Sequence, residues 1–314
     1  MTQEWRRVIR QFFDAKNRAW LSKDGGEMEK LTNRDDVVRI FLDDVRALHR
    51  SAEERGITYR KSRTNLQLTH AAPIPNGKLQ VDLLEYLTWF YTDGDDLKHQ
   101  ARMQPIQLIL SETEGGWKIE RVNRIGEREE RNLVKGELNF RPSSIVEGNR
   151  KRSYDRRKAQ QYAELWWDGF NPQYKKFDVD CTNYISQCLY AGGMPMEFSN
   201  RKDRGWWYRN QGGTVSWSHS WAVAHALRWY LESSGRATAV GDAKLLTIGD
   251  VICYDWDGDG RWQHNTIVVA FDRNGMPLVN AHTVASQHRF WDYKDSYAWT
   301  ERTQYRLFHI QDTF

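Results

Sequence analysis

The chain is poor in cysteine and proline, with three of the first and seven of the second in 314 residues. Three thiols, Cys181, Cys188 and Cys253, cannot build a disulfide framework, because any pairing leaves one over. No stretch approaches the ~18 apolar residues that a bilayer-spanning helix needs. The polar start, Met1-Thr-Gln-Glu-Trp-Arg-Arg, lacks the apolar segment of a secretory signal. These absences predict no membrane partner and, by default, a reducing, cytoplasmic location. Charge of one sign is also missing. The 46 basic and 42 acidic residues are interspersed and leave a net +4, which argues against a nucleic-acid partner. A charged fraction of 28% beside a hydrophobic fraction of 39% is that of a folded globular chain, not of a solvating tail.

Tryptophan is what the chain has in excess. Of 15 residues, four precede residue 150 and eleven follow it, which suggests two parts with different jobs. In the first part, Trp5, Ile9, Phe12, Phe13 and Trp20 fall at helical spacing, as do Leu31, Val37, Val38, Ile40, Phe41, Val45 and Leu48. Asn33 or Asp35 stands where an N-cap belongs, and Gly56 where a C-cap does. The pattern then changes to alternation over 58–69, 78–92, 104–113 and 117–125, punctuated by Pro75-Asn76-Gly77 and Glu114-Gly115-Gly116. Helices followed by a curved antiparallel meander predict an α+β domain over 1–126. The arrangement resembles the NTF2-like cone folds, a likeness of fold that implies no chemistry.

Residues 127–152 are charged and aperiodic and predict a linker. Beyond it, 153–314 reads as a second α+β domain. A helix from Tyr154 is stopped by Asn171-Pro172, another runs from Asp180 to Gly192-Gly193, and a third runs from Trp217 to Ser233. Strands follow at 250–254, 264–271, 277–282 and 305–310.

The chemistry-bearing stretch is Asp180-Cys181-Thr182-Asn183-Tyr184-Ile185-Ser186-Gln187. Asp180 is a good N-cap residue, so Cys181 falls in the first helical turn. There the free N–H groups and the positive end of the helix dipole favour a thiolate, the nucleophilic form. Cys188, two turns on, and Cys253, inside an apolar strand, read as core. A base is offered by His264, at the mouth of the strand His264-Asn265-Thr266-Ile267-Val268-Val269. Pairing that strand with 277–282 about a turn centred near residue 273 puts His282 opposite His264, with Asn280 on the same face. His282, or alternatively Asn280, then fixes the tautomer of His264. Asp180 could add local charge, although capping explains it equally well.

These residues carry a resemblance. Tyr154-Asp155-Arg156-Arg157-Lys158-Ala159, Asn171-Pro172-Gln173-Tyr174, the Asp180–Gln187 run with Gly192-Gly193, Gly249-Asp250-Val251-Ile252, His264–Val269 and His282-Thr283 occur in the order of the amidase-domain family. That family is a bacterial branch of the papain-like, NlpC/P60-related cysteine hydrolases. The resemblance spans about 154–310. It implies a helix bearing Cys181 packed on an antiparallel sheet, with Cys181 as nucleophile, His264 as base and His282 as orienter. The activity it implies is amide hydrolysis through a thioester, with no cofactor. An amide or peptide, including peptidoglycan-derived peptide, is the implied partner. His264-Asn265 departs from the His-Ser common in the family, and residue 265 is expected to point away from the cleft.

Other readings stand beside this one. Asp255-Trp256-Asp257-Gly258-Asp259-Gly260 has the 1, 3, 5 carboxylates and the position-6 glycine of a calcium loop, but position 12 is Thr266 and no helices flank it. It reads as a solvated turn. The histidines lack zinc-ligand spacing, so no metal is expected. Trp206 and Trp207 lie in an aperiodic stretch between the nucleophile helix and the base strand, and are expected to line a substrate groove. On that basis a non-catalytic, aromatic-groove binding module on the same fold is the alternative function. Oligomeric state is not encoded in any visible pattern.

Overall fold

The computed structural model describes residues 4–124 and 152–314. The linker expected over 127–152 lies outside the described residues except for Arg152. The backbone of Arg152 pairs with Phe314 through hydrogen bonds of 2.9 and 2.8 Å. The chain divides into two compact units, Met1–Gly126 with Lys294–Tyr297, and Glu127–Tyr293 with Ala298–Phe314. Both combine helices with antiparallel strands, an α+β organisation. Among the described residues no helix is long and apolar enough to cross a membrane.

In the first unit, helices Glu4–Ser22 (α1), Gly26–Glu29 (α2) and Asp35–Arg55 (α3) precede strands Thr58–Ile74 (β1), Lys78–Asp93 (β2), Asp96–Thr113 (β3) and Gly116–Arg124 (β4). The apolar stripes behave as their spacing requires. Helix α1 buries Ile9, Phe12, Phe13 and Trp20, and α3 buries Val37, Val38, Phe41, Val45 and Leu48. Helix α3 ends at Gly56 in the left-handed conformation (φ 64°). Its N-cap position is Arg34, not Asn33 or Asp35, and no side chain caps it. The strands form a meander in the order β1-β2-β3-β4. Strand β3 starts eight residues earlier than its alternation suggests, because residues 93–96 form a tight turn that pairs Asp93 with Asp96.

Strand β2 alternates without a break between buried and half-buried residues, and Glu85 occupies a buried position in that row between Leu83 and Leu87. A carboxylate there is tolerable only with partners. Lys16 of α1 supplies one at 2.5 Å and Gln104 Nε2 another at 2.8 Å. Burial pushes the Glu85 carboxyl up, but the charge and hydrogen bonds of Lys16 and Gln104 outweigh it and hold the group below its usual value. Burial lowers Lys16 in turn.

The second unit is built on helices Arg156–Trp166 (α4) and Cys181–Ala191 (α5), the hairpin Tyr208–Gln211 (β5) and Thr214–Trp217 (β6), and helices His219–Ala222 (α6) and Ala224–Ser233 (α7). The expected helix over 217–233 is broken in two at Val223, which is extended (φ −123°, ψ 123°). The sheet comprises Ala237–Val240 (β7), Val251–Asp255 (β8), His264–Phe271 (β9), Pro277–Ala281 (β10), Ala285–Phe290 (β11) and Gln304–Ile310 (β12), in the order β11-β10-β9-β8-β12-β7. Its two faces hold different cores. Val251, Cys253, Ile267 and Val269 pack with Tyr184, Ile185 and Cys188 of α5. Ile252, Tyr254, Val268, Val279 and Ala281 pack on the opposite side. Asp250, fully buried just before β8, ties the layers together. It accepts from Arg156 (2.7 Å), His309 (2.9 Å) and the Ile310 amide (3.0 Å). The calcium-like run is a turn closed on itself, with the Asp255 carboxylate accepting the amides of Gly258, Asp259 and Gly260.

The buried Lys16–Glu85 pair yields a prediction. Lys16→Met leaves the buried Glu85 charge with Gln104 as its remaining hydrogen-bond partner and without the Lys16 counter-charge, and should destabilise the chain by about 3–5 kcal/mol. Adding Glu85→Leu should recover most of the loss. Because the folded carboxyl lies below its unfolded value of about 4.3, its contribution is present above that pH and is lost as pH falls through the folded value. Urea titrations from pH 7 down to 3 should show a steeper acid loss in the wild type than in the double variant.

Candidate active site

Helix α5 begins at Cys181 directly after Asp180, as the sequence pattern predicts. Every residue from Cys181 to Leu189 is buried, so this helix runs through the interior. Asp180 occupies the N-cap position, yet its side chain makes no capping bond. It is a junction instead. Oδ1 accepts from the Phe177 amide (3.0 Å) and Asn183 Nδ2 (2.9 Å), and Oδ2 faces His282 Nδ1 at 2.9 Å. Three donors are what a buried carboxylate requires.

His282, just past the end of β10, is gripped from every side. Nε2 donates to the carbonyl of Trp166, the last residue of α4, at 2.7 Å. The ring stacks on Tyr184 at 4.0 Å and 13°, and Phe170 meets it edge-on at 5.2 Å. Both ring nitrogens therefore face oxygens. Tyr184 is itself fixed by its hydroxyl on the Ala163 carbonyl (2.7 Å). Asp180, Tyr184 and His282 thus converge where α4, α5 and β10 meet, and Cys181 follows Asp180 in the chain. The segment from Trp167 to Asp180 lies beside them. It is tied down by Lys175 N to Tyr208 Oη (2.8 Å), Asn183 Nδ2 to Lys175 O (3.1 Å) and Asn171 Nδ2 to Tyr162 Oη (2.9 Å).

His264 is placed elsewhere. Its Cα partner is Tyr254, and directly paired residues share a face of the sheet. Its ring lies 5.5 Å from Tyr254, 5.7 Å from Trp256 and 5.4 Å from Tyr293, in the layer opposite α5. The expected pairing of His264 with His282 is corrected by the register. Leu278 pairs with Ala270, but Val279 pairs with Val268 and Asn280 with Ile267, so β9 carries one extra residue at Val269. Carried two residues further, that register sets His282 level with Asn265. A one-residue slip turns each side chain to the other face.

Asn265 therefore points toward the nucleophile helix, contrary to expectation, and its Nδ2 donates to Thr182 Oγ1 at 3.0 Å. Thr182 Oγ1 in turn lies 3.6 Å from Cys181 Sγ. Asn280 shares the α5 face but is engaged with other groups, its amide with the Ala163 carbonyl (3.5 Å) and its oxygen with the His288 amide (2.9 Å).

The other two thiols are disabled. Burial pushes Cys188 and Cys253 well above the usual thiol range, with nearby Cys181 adding to the shift at Cys253. Trp206 and Trp207 do not line a groove. Trp206 is fully buried, donates to Ser186 Oγ at 3.0 Å and packs on Trp221 at 4.9 Å, and Trp207 is 3% exposed. Gly205 places them. At φ 67° it lets Trp206 bridge to Glu197, whose carbonyl a Cβ would strike. Nearby, exposed Phe170 carries Lys176 over its ring at 4.1 Å, and half-buried Trp217 carries Lys175 at 4.9 Å and Lys202 at 5.2 Å. Among the described residues no group of three or more His, Cys, Asp and Glu is arranged to hold a metal ion.

Tyr184 and the Trp166 carbonyl were not anticipated from sequence. Tyr184 was within reach of such reading, since it stands three residues after Cys181 on the same helical face. A backbone carbonyl leaves no mark in a sequence.

Comparison with known proteins gives this geometry a class. Residues 153–308 match the family model described as "Putative amidase domain", which points to a hydrolase. A Bacillus subtilis (strain 168) protein, "Uncharacterized protein YhbB", is 52% identical over 162 residues, covering 51% of this chain and 51% of that protein. A second, "Uncharacterized protein YjcM" of the same organism, is 31% identical over 136 residues, 40% of this chain and 30% of its own length. The chain thus spans about half of one curated relative it matches and under a third of the other. Among solved structures, the intermembrane space region of chloroplast protein ARC6 aligns with 38% of this chain and 91% of its own at 14% identity. Its TM-score of 0.29 is too low to bear on the fold.

Two outcomes follow, one from the burial of the indoles and one from the place of Cys181 in the first turn of α5, since all three thiols are buried. Trp206→Ala should cost about 3–5 kcal/mol of stability, as removal of a core indole does, measured by denaturant unfolding. Iodoacetamide at neutral pH, followed by peptide mapping, should label Cys181 before Cys188 and Cys253, which should react only once the chain unfolds.

Proposed function

We propose that residues 153–308 form a cysteine-dependent amidase or peptidase of papain-like organisation that cleaves an amide bond through a thioester on Cys181. The observation that carries this reading is the junction at the start of α5, where Cys181 follows Asp180 and Asp180 holds His282 at 2.9 Å. Nucleophile, imidazole and carboxylate are the parts of a Cys–His–Asp device. In the described arrangement all three are closed off from solvent, and His282 Nε2 is held by the Trp166 carbonyl. Reaction therefore requires the last turn of α4 to release Nε2 from the Trp166 carbonyl and the 167–179 segment to open for substrate, while Asp180 stays on Nδ1.

The chemistry then balances. The Cys181 thiol gives its proton to His282 and the sulfur attacks the carbonyl carbon. His282 returns the proton to the departing amine as the C–N bond breaks, leaving a thioester. Water, deprotonated by His282, adds to the thioester carbon, and the C–S bond breaks to release a carboxylic acid and the thiol. Asp180 orients the ring throughout. Amide N–H groups at the start of α5 are placed to receive the oxyanion.

A second reading gives the proton to His264, with His282 as orienter. What favours it is the position of His264 at the head of β9, next to Asn265, whose side chain reaches Thr182 of the nucleophile helix. The non-catalytic binding module has lost its support, because it rested on Trp206 and Trp207 as groove walls and both are buried. Peptidoglycan-derived peptide is the substrate class to test first. The likeness of the first unit to an NTF2-like cone remains a reading of shape without a role in this chemistry.

The test is to incubate the protein with soluble peptidoglycan digests and follow new amine and carboxylate ends by mass spectrometry. Cleavage is expected, with none in Cys181→Ala. His282→Gln should lose about 10²–10⁴-fold in rate, the usual weight of a general base, while His264→Gln keeps most of it. The reverse pattern between the histidines selects the second reading, and undiminished cleavage by Cys181→Ala overturns both.

A further inference from the structure

The first unit holds a partly open cavity of about 360 Å³ between α1, α2, α3 and the sheet, lined by its own residues. Phe12 and Phe13 of α1, Val37 and Phe41 of α3 and Ile106 of β3 wall it with apolar surface. Lys16 and Glu85, the buried pair described above, also line it. Arg34, Asp36, Glu120, Arg121, Asn123 and Arg124 add polar lining, so the phenylalanine wall and the buried pair form one part of a mixed pocket. Pockets of this size with an apolar wall and converging polar groups are a usual form of small-molecule site.

The pair is unevenly satisfied. Glu85 is engaged at both oxygens, with Lys16 at Oε1 and Gln104 at Oε2. The Lys16 ammonium has three N–H groups. One goes to Glu85, and the ammonium otherwise lies over the rings of Phe13 at 5.1 Å and Phe41 at 5.5 Å, both cavity walls. Lys16 is only 7% exposed, and among the described residues no second acceptor oxygen meets it. A nine-tenths buried donor beside an empty volume that Phe13 and Phe41 wall at its side calls for an oxygen acceptor brought by a ligand. A carboxylate would be attracted by Lys16 and repelled by Glu85, which is 2.5 Å from the ammonium. An uncharged acceptor escapes that opposition. The walls ask for a ring or branched chain behind it.

We propose that the first unit binds a small, uncharged, largely apolar molecule carrying a carbonyl oxygen, with the ring or chain against Phe12, Phe13 and Phe41 and the oxygen on the Lys16 ammonium. This site is separate from the chemistry assigned to Cys181 and stands or falls without it. It gives the first unit a function as a receptor for a hydrophobic carbonyl compound.

The probe is prodan, a neutral naphthalene ketone whose emission reports the polarity around it, titrated into the full chain. Saturable one-to-one binding with blue-shifted emission relative to water is expected. Val37→Phe, which places a ring in the cavity, should weaken binding at least tenfold. Lys16→Met/Glu85→Leu, which removes the donor and its counter-charge together, should weaken it about tenfold, the worth of one hydrogen bond to a charged donor. Circular dichroism melts confirm that each variant is folded. Should the double variant fail to fold, the Val37→Phe comparison decides. Non-saturable binding, or binding unchanged in Val37→Phe, overturns the site. Unchanged binding in a folded double variant overturns the carbonyl assignment.

Discussion

The hydrogen bond between Asp180 and His282 is the constraint on which the arrangement of the second unit depends. It joins the residue before α5 to the end of a sheet strand, and through His282 Nε2 it reaches the last carbonyl of α4. Three elements are thereby fixed to one another by a single imidazole. The same carboxylate holds the Phe177 amide and so anchors the segment leading into α5. Because Asp180 and His282 are both buried, neither can turn to water for a replacement partner, and losing one leaves the other stranded.

Both proposed sites are built on buried polar groups set into apolar patterns. In the first, Glu85 interrupts an otherwise apolar row and is held by Lys16 beside an open cavity. In the second, Asp180 and His282 sit among Tyr184, Phe170 and Trp166. Such groups are costly unless fully partnered, and an apolar core would be simpler to build. The Asp250 network has the same composition but another purpose. Its partners Arg156, His309 and Ile310 join helix to sheet away from Cys181, so the motif residues Arg156 and Asp250 are explained by architecture.

Much of this was legible in the sequence. The helix Cys181–Ala191 and the strand His264–Phe271 follow from capping residues, glycines and β-branched runs, which act locally. The face of His264 was not legible. It turns on one extra residue at Val269 in a run of β-branched residues, where no glycine or proline marks a bulge. A register argument that counts from the turn carries that error to every residue beyond it, which is why the His264–His282 pair came out on one face and Asn265 on the other. Trp206 and Trp207 misled for a different reason. Their segment has no period because it is irregular, not because it is exposed, and the contacts that bury it come from Ser186, Glu197 and Trp221, distant in sequence. Glu85 was readable in principle, since the alternation of β2 puts it on the buried face.

The central claim is that Cys181 is a nucleophile served by the imidazole and carboxylate at its helix start. Acylation by an activated ester tests it most directly, because it needs no knowledge of the natural substrate. The protein is mixed with p-nitrophenyl acetate, quenched in acid and analysed by intact mass and peptide mapping. The account predicts one acetyl group, located on Cys181 and released by neutral hydroxylamine as a thioester is, and its absence in Asp180→Asn combined with His282→Gln. An acetyl group found on lysine or serine with Cys181 unmodified would contradict it.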